Sequence, residues 1–295
     1  MGLGAEKRRA LVVGANGQIG SRISAVLDSS EYSVIRVSGH EFGQKYKSIL
    51  NQNDGKLALI LNSAGPNSKS TEEASSEALA WSSDHAARLN ELASQNPNST
   101  CISMSTYHVY GDSLEGEIDE TSPLQETSAY SKLHINLENK LHSGNSDWSV
   151  IRLTNVFGSP GRGGKFKTDT LTHEAVYEFA RGNHFKLKSS PFVKRDFIPI
   201  SLVTQAVCWL SENSKSGTFN LSSMRTRLIG EWISLVAEKM RTETSFSCDY
   251  SLARDSGDSP NYLISSAKLR ALGFKGDAET DAELSNLIQF CAKPR

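Results

Sequence analysis

The chain opens with a pattern that few folds accommodate. The apolar run RALVV leads into Gly14, and Gly17 and Gly20 follow at intervals of three. Ile19, Ile23, Val26 and Leu27 then recur at helical spacing. A strand, a glycine loop and a helix in this order define a βα unit whose strand, apolar on both faces, must be covered on both. Gly14 suits a tight turn, Gly17 lets the backbone approach a pyrophosphate, and Gly20 lets the helix pack closely on the strand. The amino end of the helix adds attraction for phosphate. The spacing is G-x-x-G-x-x-G rather than G-x-G-x-x-G. A strand–helix turn that merely tolerates glycine is the plainer reading, and the flanking strand and helix argue against it. Candidate cofactor contacts in this loop are Gly14, Asn16, Gly17, Gln18, Ile19 and Gly20.

The alternation continues. YSVIRVS, LALILNSAG, STCISMST and WSVIRLTNVFG read as further strands, and EEASSEALAWSSDHAARLNELASQ as a long helix with Leu79, Ala86, Leu89 and Leu92 inward. The fold class expected is therefore α/β, a Rossmann-type doubly wound parallel sheet. Beyond Gly158 the glycine-rich GSPGRGGK is a loop, and later elements are shorter. This suggests a smaller C-terminal substrate-binding lobe. Residues 1–158 with about 195–218 would form the dinucleotide-binding part, and about 159–194 with 219–295 the lobe.

Composition removes several function classes. A net charge of -1 over 295 residues, with no long basic run, gives nucleic acid or an anionic membrane no electrostatic handle. No apolar stretch is long enough to span a membrane. The N-terminal charges beside a short apolar run resemble a signal peptide only superficially, and Ala5 and Glu6 fit a Met1-Gly2 myristoylation signal poorly. Cys101, Cys208, Cys248 and Cys291 are scattered without metal-ligand spacing and read as buried thiols in a reducing cytoplasm, so no metal is expected.

In dinucleotide-binding folds an acidic residue usually ends the second strand and takes the ribose hydroxyls. Here VIRVSGHE offers Ser38, Gly39 and His40, with Glu41 set too far along. An acidic group would repel a 2′-phosphate and Ser38 would not, which favours NADP over NAD. Ser38 and His40 read equally well as turn residues.

Further motifs follow in order: LNSAG at 61–65, STYHVYG at 105–111, a helix carrying Tyr130, LTNVFG at 153–158, RDFIPI at 195–200 and SSAKLRALGF at 265–274. As an ordered set this resembles the extended short-chain dehydrogenase/reductase family, which modifies nucleotide sugars, over nearly the whole chain. The resemblance implies that Ala64 lies against the cofactor and that Thr106 bonds the reacting sugar oxygen. It implies that Asn155 and Arg195 hold the substrate diphosphate; a guanidinium suits this as a bidentate, permanently charged phosphate ligand. An ion pair with Asp196 is the plainer role for Arg195, and Arg162 and Lys165 read either as part of an anion pocket or as solvated loop charges. The dehydratase branch carries Asp-Glu after its threonine, because removing water needs an acid and a base. This chain has Tyr107 and His108 there, which argues against dehydration.

TSAYSKLHINLE, Thr127 to Glu138, carries the catalytic question. The resemblance implies a tyrosine that moves a proton at the sugar, and a lysine four residues on that touches the nicotinamide ribose and lowers the tyrosine pKa. An unperturbed phenol titrates at about 10, so it needs positive charge nearby to act as a base at neutral pH. Residues four apart share a helix face. The fourth residue after Tyr130 is His134. Without a gap, Pro123 and Glu138 flank Tyr130 at the family's distances and His134 takes the lysine's place. Aligning Ser131-Lys132-Leu133 with the family's Ser-Lys-Leu instead puts Ser128 at the tyrosine position. Keeping both Tyr130 and Lys132 sets them about 200° apart on a helix, which works only if Tyr130 precedes the helix. The landmarks favour the ungapped register. His134 is mostly neutral at pH 7 and shorter than lysine, yet able to bond a ribose hydroxyl or, as imidazolium, to assist Tyr130. Plain packing accounts for the stripe Leu133, Leu137, Leu141. In the family this helix and the one near 72–95 pair with their copies in a dimer, and burial against the chain's own sheet would give the same stripe.

The expectation is an NAD(P)-dependent 4-ketoreductase or 4-epimerase of a nucleotide-diphosphate sugar, cytoplasmic and homodimeric, with NADP favoured over NAD. Thr106, Tyr130 and His134 are the catalytic candidates; Ser38, Ala64, Tyr130 and His134 join the glycine loop as cofactor contacts. The alternative is a cofactor-binding protein with weak or lost catalysis, acting as a regulatory or structural subunit; the missing lysine motivates it.

Overall fold

A computed structural model describes residues 7–53, 55–65, 76–253 and 259–293. Met1-Gly2 and residues 72–75 of the expected long helix lie outside the described residues. The alternation read from the pattern is present: β1 (Arg8–Val13), α1 (Gln18–Asp28), β2 (Tyr32–Val37), α2 (Gly39–Gln52), β3 (Leu57–Asn62), α3 (Ser76–Ser94) and β4 (Thr100–Thr106). Next come β5 (Gly116–Ile118), α4 (Ala129–His142), β6 (Trp148–Leu153), β7 (Asn155–Phe157) and α5 (Leu171–Ala180). They are followed by β8 (Phe185–Lys186), β9 (Lys194–Pro199), α6 (Ile200–Asn213) and β10 (Gly217–Leu221). β11 (Thr226–Leu228), α7 (Ile229–Glu243), β12 (Tyr250–Ser251), β13 (Tyr262–Ile264), α8 (Ala267–Ala271) and α9 (Thr280–Ala292) end the chain.

Six strands form one parallel sheet in the order β10-β6-β4-β3-β1-β2. β4 and β6 are buried along their whole length, as parallel strands covered on both faces must be. β3 returns beside β1, so β2 is the edge and the strand that flanks it in the 3-2-1-4-5-6 order is absent from the described residues. The winding reverses between β1 and β3, where open α/β sheets bind ligands. The loops after these two strands touch. Gly14 has φ +85°, and a Cβ there would stand 2.6 Å from the Ala64 nitrogen, so no other residue fits.

One face of the sheet is covered by α1 and α6 through Ile23, Leu27, Leu202 and Leu210. The other is covered by α2, α3 and α4 through Phe42, Leu89, Leu137 and Leu141. Leu137 and Leu141 of α4 are thus buried against the chain's own sheet, and Leu133 is buried as well. On α3, Ala86, Leu89 and Leu92 are buried and Leu79 half-buried. A third cluster, with Phe157, Phe179, Phe197, Trp232 and Leu287, joins α5, α7 and α9 to the small sheet β11-β9-β7. β10 straddles the division expected at residue 218, and Leu269 and Phe274 pack into the first cluster. Cys101 and Cys248 are buried and Cys208 and Cys291 half-buried, with no disulfide among them. No described helix is long and apolar enough to cross a membrane.

Candidate active site

A cleft of about 550 Å³ opens over the carboxyl ends of the central strands. Of the residues expected from sequence, Gln18, Ile19, Ala64, Thr106, Tyr130, His134 and Asn155 line it. Gly14, Asn16, Gly17 and Gly20 form the turn beneath its rim, while Ser38 and Arg195 stand outside the lining.

β4 delivers Thr106 to the cleft. Its hydroxyl accepts the His108 N–H at 3.3 Å, capping the short turn Tyr107–Tyr110, and acts on the phenol of Tyr130. Ser128 caps α4, with its side chain accepting from the Ser131 N–H at 3.1 Å, so Tyr130 lies inside the helix. The three registers now separate. Ser128 is committed to the cap. Lys132 turns outward, half exposed, toward Glu126 at 3.7 Å. His134 shares Tyr130's face, the two rings meeting edge to face with centroids 4.6 Å apart.

Electrostatics there differ from what a tyrosine–lysine pair provides. Burial pushes the Tyr130 phenol up, Tyr107 and Asp169 push the same way, Thr106 opposes them, and no cation among the described residues acts on it. Burial, then His108, pushes the His134 imidazole down to about 3, so it is neutral. His108 is held at about 4, by burial first and then by Arg195. Both ring nitrogens of His134 are buried without a hydrogen-bond partner among the described residues. The ring rests on Gly65, where a Cβ would come within 3.1 Å of its Cε1. An imidazole has a donor and an acceptor to satisfy, and the described residues satisfy neither.

One turn further along α4, Glu138 anchors the helix. Arg152 of β6 donates from Nη2 to Glu138 Oε2 at 2.6 Å and from Nη1 to the Tyr110 hydroxyl at 2.9 Å. Ser105 donates to the same carboxylate. The pair is almost fully buried, and it ties α4 to β4 and β6 directly behind Tyr130 and His134.

At the amino end of α1 the N-cap is Gly17 and no side chain caps the helix, leaving its first N–H groups for a ligand. A Cβ on Gly20 would collide with the Gly14 carbonyl, which explains the third glycine. Ser38 caps α2 and donates to Glu41 Oε2 at 2.7 Å, while the Ser38 N–H reaches the same oxygen at 3.3 Å. The capping box therefore brings the Glu41 carboxylate back to the Ser38 backbone at the end of β2. Bonds from Lys45 and Ser38 hold Glu41 down to about 2, so it is ionised. Arg36 points away, donating to the Ser24 carbonyl at 3.3 Å.

Arg195, on β9, donates from Nη1 to the Tyr107 hydroxyl at 2.6 Å, and Asn155 Nδ2 lies 3.4 Å from the same oxygen. The expected alternative, an ion pair with Asp196, is not formed. Asp196 is buried and accepts from Thr154 at 2.6 Å and from the Ser223 hydroxyl at 2.8 Å. Arg162 and Lys165 are exposed and do not line the cleft. Residues that the motifs did not flag also line it: Asp112, Lys167, Asp169 and His173. The last three belong to the loop after Gly158 and the start of α5, where no spacing rule signals a contact. His173 is fixed there by the Gly158 carbonyl at 2.9 Å and by Thr170.

A family profile described as the NAD dependent epimerase/dehydratase family matches residues 10–222. No curated protein matches the chain. Among solved structures, a UDP-glucose 4-epimerase of Thermotoga maritima with UDP-glucose is similar, with 17% identity, a TM-score of 0.77, and coverage of 96% of this chain and 98% of that one. A dTDP-glucose 4,6-dehydratase of Bacillus anthracis in complex with NAD has 19% identity, a TM-score of 0.76 and 96% coverage of both chains. The protein RMD of Pseudomonas aeruginosa, complexed with NADPH, has 18% identity, a TM-score of 0.79, and coverage of 97% of this chain and 99% of that one. At these identities the likeness is one of fold.

Proposed function

The chain belongs to the NAD-dependent epimerase/dehydratase family, and from that premise we propose that it is a nucleotide-sugar enzyme working at the sugar C4, as a 4-ketoreductase or a 4-epimerase. The observation that carries this reading is the meeting of Thr106, Tyr130 and His134 in one cleft beside the uncapped end of α1. The residues fit a dinucleotide. The amino end of α1 suits a pyrophosphate, Glu41 suits a ribose diol, and the two unpartnered nitrogens of His134 suit a second ribose. A bound nicotinamide would supply the site's hydride acceptor and donor.

The chain's own groups handle the proton. Thr106 orients the C4 oxygen, and Tyr130 exchanges a proton with it. With its pKa raised, Tyr130 is protonated at neutral pH and is poised to donate, the direction needed to reduce a 4-ketone. His134, neutral, holds the cofactor ribose by hydrogen bonds rather than by charge. Arg195 and Asn155, joined through Tyr107, hold the diphosphate. Neither residue after Thr106 is acidic, which favours reduction or epimerisation over dehydration. Glu41 favours NAD, because a carboxylate beside the ribose repels a 2′-phosphate.

The test is Tyr130→Phe. Nicotinamide absorbance followed with a 4-ketohexose nucleotide should show turnover in the native chain and a fall of at least about a hundredfold in the variant, with cofactor affinity kept. Equal rates in the two proteins would remove Tyr130 from the mechanism. A second reading, a cofactor-binding subunit without turnover, is favoured by the lack, among the described residues, of a cation acting on Tyr130. Bound cofactor with no absorbance change for any ketosugar nucleotide would select it.

A further inference from the structure

The cleft contains a buried acceptor that the chemistry above leaves unused. Asp169 lies in the loop from Gly158 to Thr170, which is fastened to the start of α1. The Lys165 N–H donates to the Asn16 carbonyl at 2.9 Å, and the Lys167 N–H to Gln18 Oε1 at 3.3 Å. At its far end Thr170 bonds His173 Nδ1 at 2.5 Å. Pinned at both ends, the loop holds Asp169 in the cleft wall. Its Oδ1 is buried and has no hydrogen-bond partner among the described residues. None of the ion pairs among those residues includes it, although Lys167 lines the same cleft.

A buried carboxylate oxygen without a donor is unfavourable. Its charge also opposes ionisation of Tyr130 and favours protonation of His173, so it stands close to both. A ligand that brings a hydrogen-bond donor relieves this arrangement. A carboxylate offers only acceptors, so it rewards a hydroxyl and repels another carboxylate.

We propose that Asp169 is a specificity-determining residue whose buried oxygen accepts a hydrogen bond from a hydroxyl of the hexose, selecting a neutral sugar over a uronic acid. This rests on the nucleotide-sugar reading and adds which part of the substrate is read.

The test is calorimetric titration of the NAD-loaded full chain with UDP, UDP-glucose and UDP-glucuronate, repeated with dTDP and dTDP-glucose. The native chain is compared with Asp169→Leu, similar in size without acceptors, and Asp169→Asn, which keeps one acceptor. Bare nucleotide should bind all three proteins equally. The gain in affinity from adding glucose should fall roughly 10- to 100-fold in D169L and less in D169N. Discrimination against glucuronate should shrink in both. An unchanged glucose gain in a folded D169L overturns the proposal, and so does a loss confined to NAD affinity, which would assign the group to the cofactor. If the native chain binds neither nucleotide nor its hexose, the nucleotide-sugar reading itself fails, so the two failures are distinguishable.

Discussion

Replacing His134 by lysine tests whether the missing cation limits Tyr130. The site pushes the imidazolium of His134 from 6.5 to about 3, chiefly by burial. The same penalty on a lysine, ordinarily at about 10.4, leaves its ammonium titrating at about 7. The introduced group is then about half charged at neutral pH. The Tyr130 and His134 rings are 4.6 Å apart. A positive charge at that separation, with an effective dielectric of about 20, favours the phenolate by about 3–4 kcal/mol, or about 2–3 pKa units. The assay is the pH–rate profile for oxidation of a nucleotide sugar, read by nicotinamide absorbance. In His134→Lys the rate at pH 7 should rise by at least about tenfold, because a phenolate–ammonium pair forms there while the native phenol is still protonated. An unchanged rate at pH 7 in a folded variant that still binds cofactor would show that phenol ionisation is not limited by charge at this position.

Three further outcomes are expected. His85, His108, His134 and His173 are held neutral at about 4, 4, 3 and 4. The unfolded chain, titrating at about 6.5, binds more protons between these values, so stability is full above about pH 6.5 and falls as pH drops toward 4; a melting temperature flat from pH 7 to 4.5 would contradict this. Glu138→Leu leaves Arg152 buried and uncompensated and should destabilise by about 3–5 kcal/mol in denaturant unfolding, with much of the loss recovered in the Glu138→Leu/Arg152→Met double variant; a loss under 1 kcal/mol would show the pair to be dispensable. Glu41→Gln should narrow the affinity gap between NAD and NADP, measured by fluorescence titration of the reduced cofactors; a gap equal to that of the native chain would remove Glu41 from the ribose site.

The fold was legible because it rests on patterns that local physics enforces. Strands apolar on both faces require helices above and below, and the first and third glycines of the loop occupy places where a Cβ collides. On the tyrosine helix, residues two apart cannot share a face: the Tyr130 and His134 rings meet edge to face, and Lys132 points away. At Glu41, distance along the chain does not give distance in space, because a capping box folds the third helical residue back onto the cap. The sheet order was not legible, since periodicity marks a strand without naming its neighbour. Asp169 and Lys167 were invisible for a similar reason. They reach the cleft only because a glycine-rich loop docks on α1, a tertiary contact that no spacing encodes.

Isotope transfer reads proton and hydride chemistry at the sugar C4, with Tyr130 as the proton carrier, without an intermediate step. UDP-glucose deuterated at C4, and its dTDP counterpart, are incubated with the NAD-loaded chain, and cofactor and sugar are both weighed and resolved by mass spectrometry after chromatography. The native chain is expected to give either deuterium on the nicotinamide, as a ketoreductase run in reverse does, or a C4-inverted sugar that keeps its deuterium, as an epimerase does, and Tyr130→Phe almost none of either. A native chain that binds both cofactor and sugar nucleotide, yet gives neither product, would contradict this chemistry.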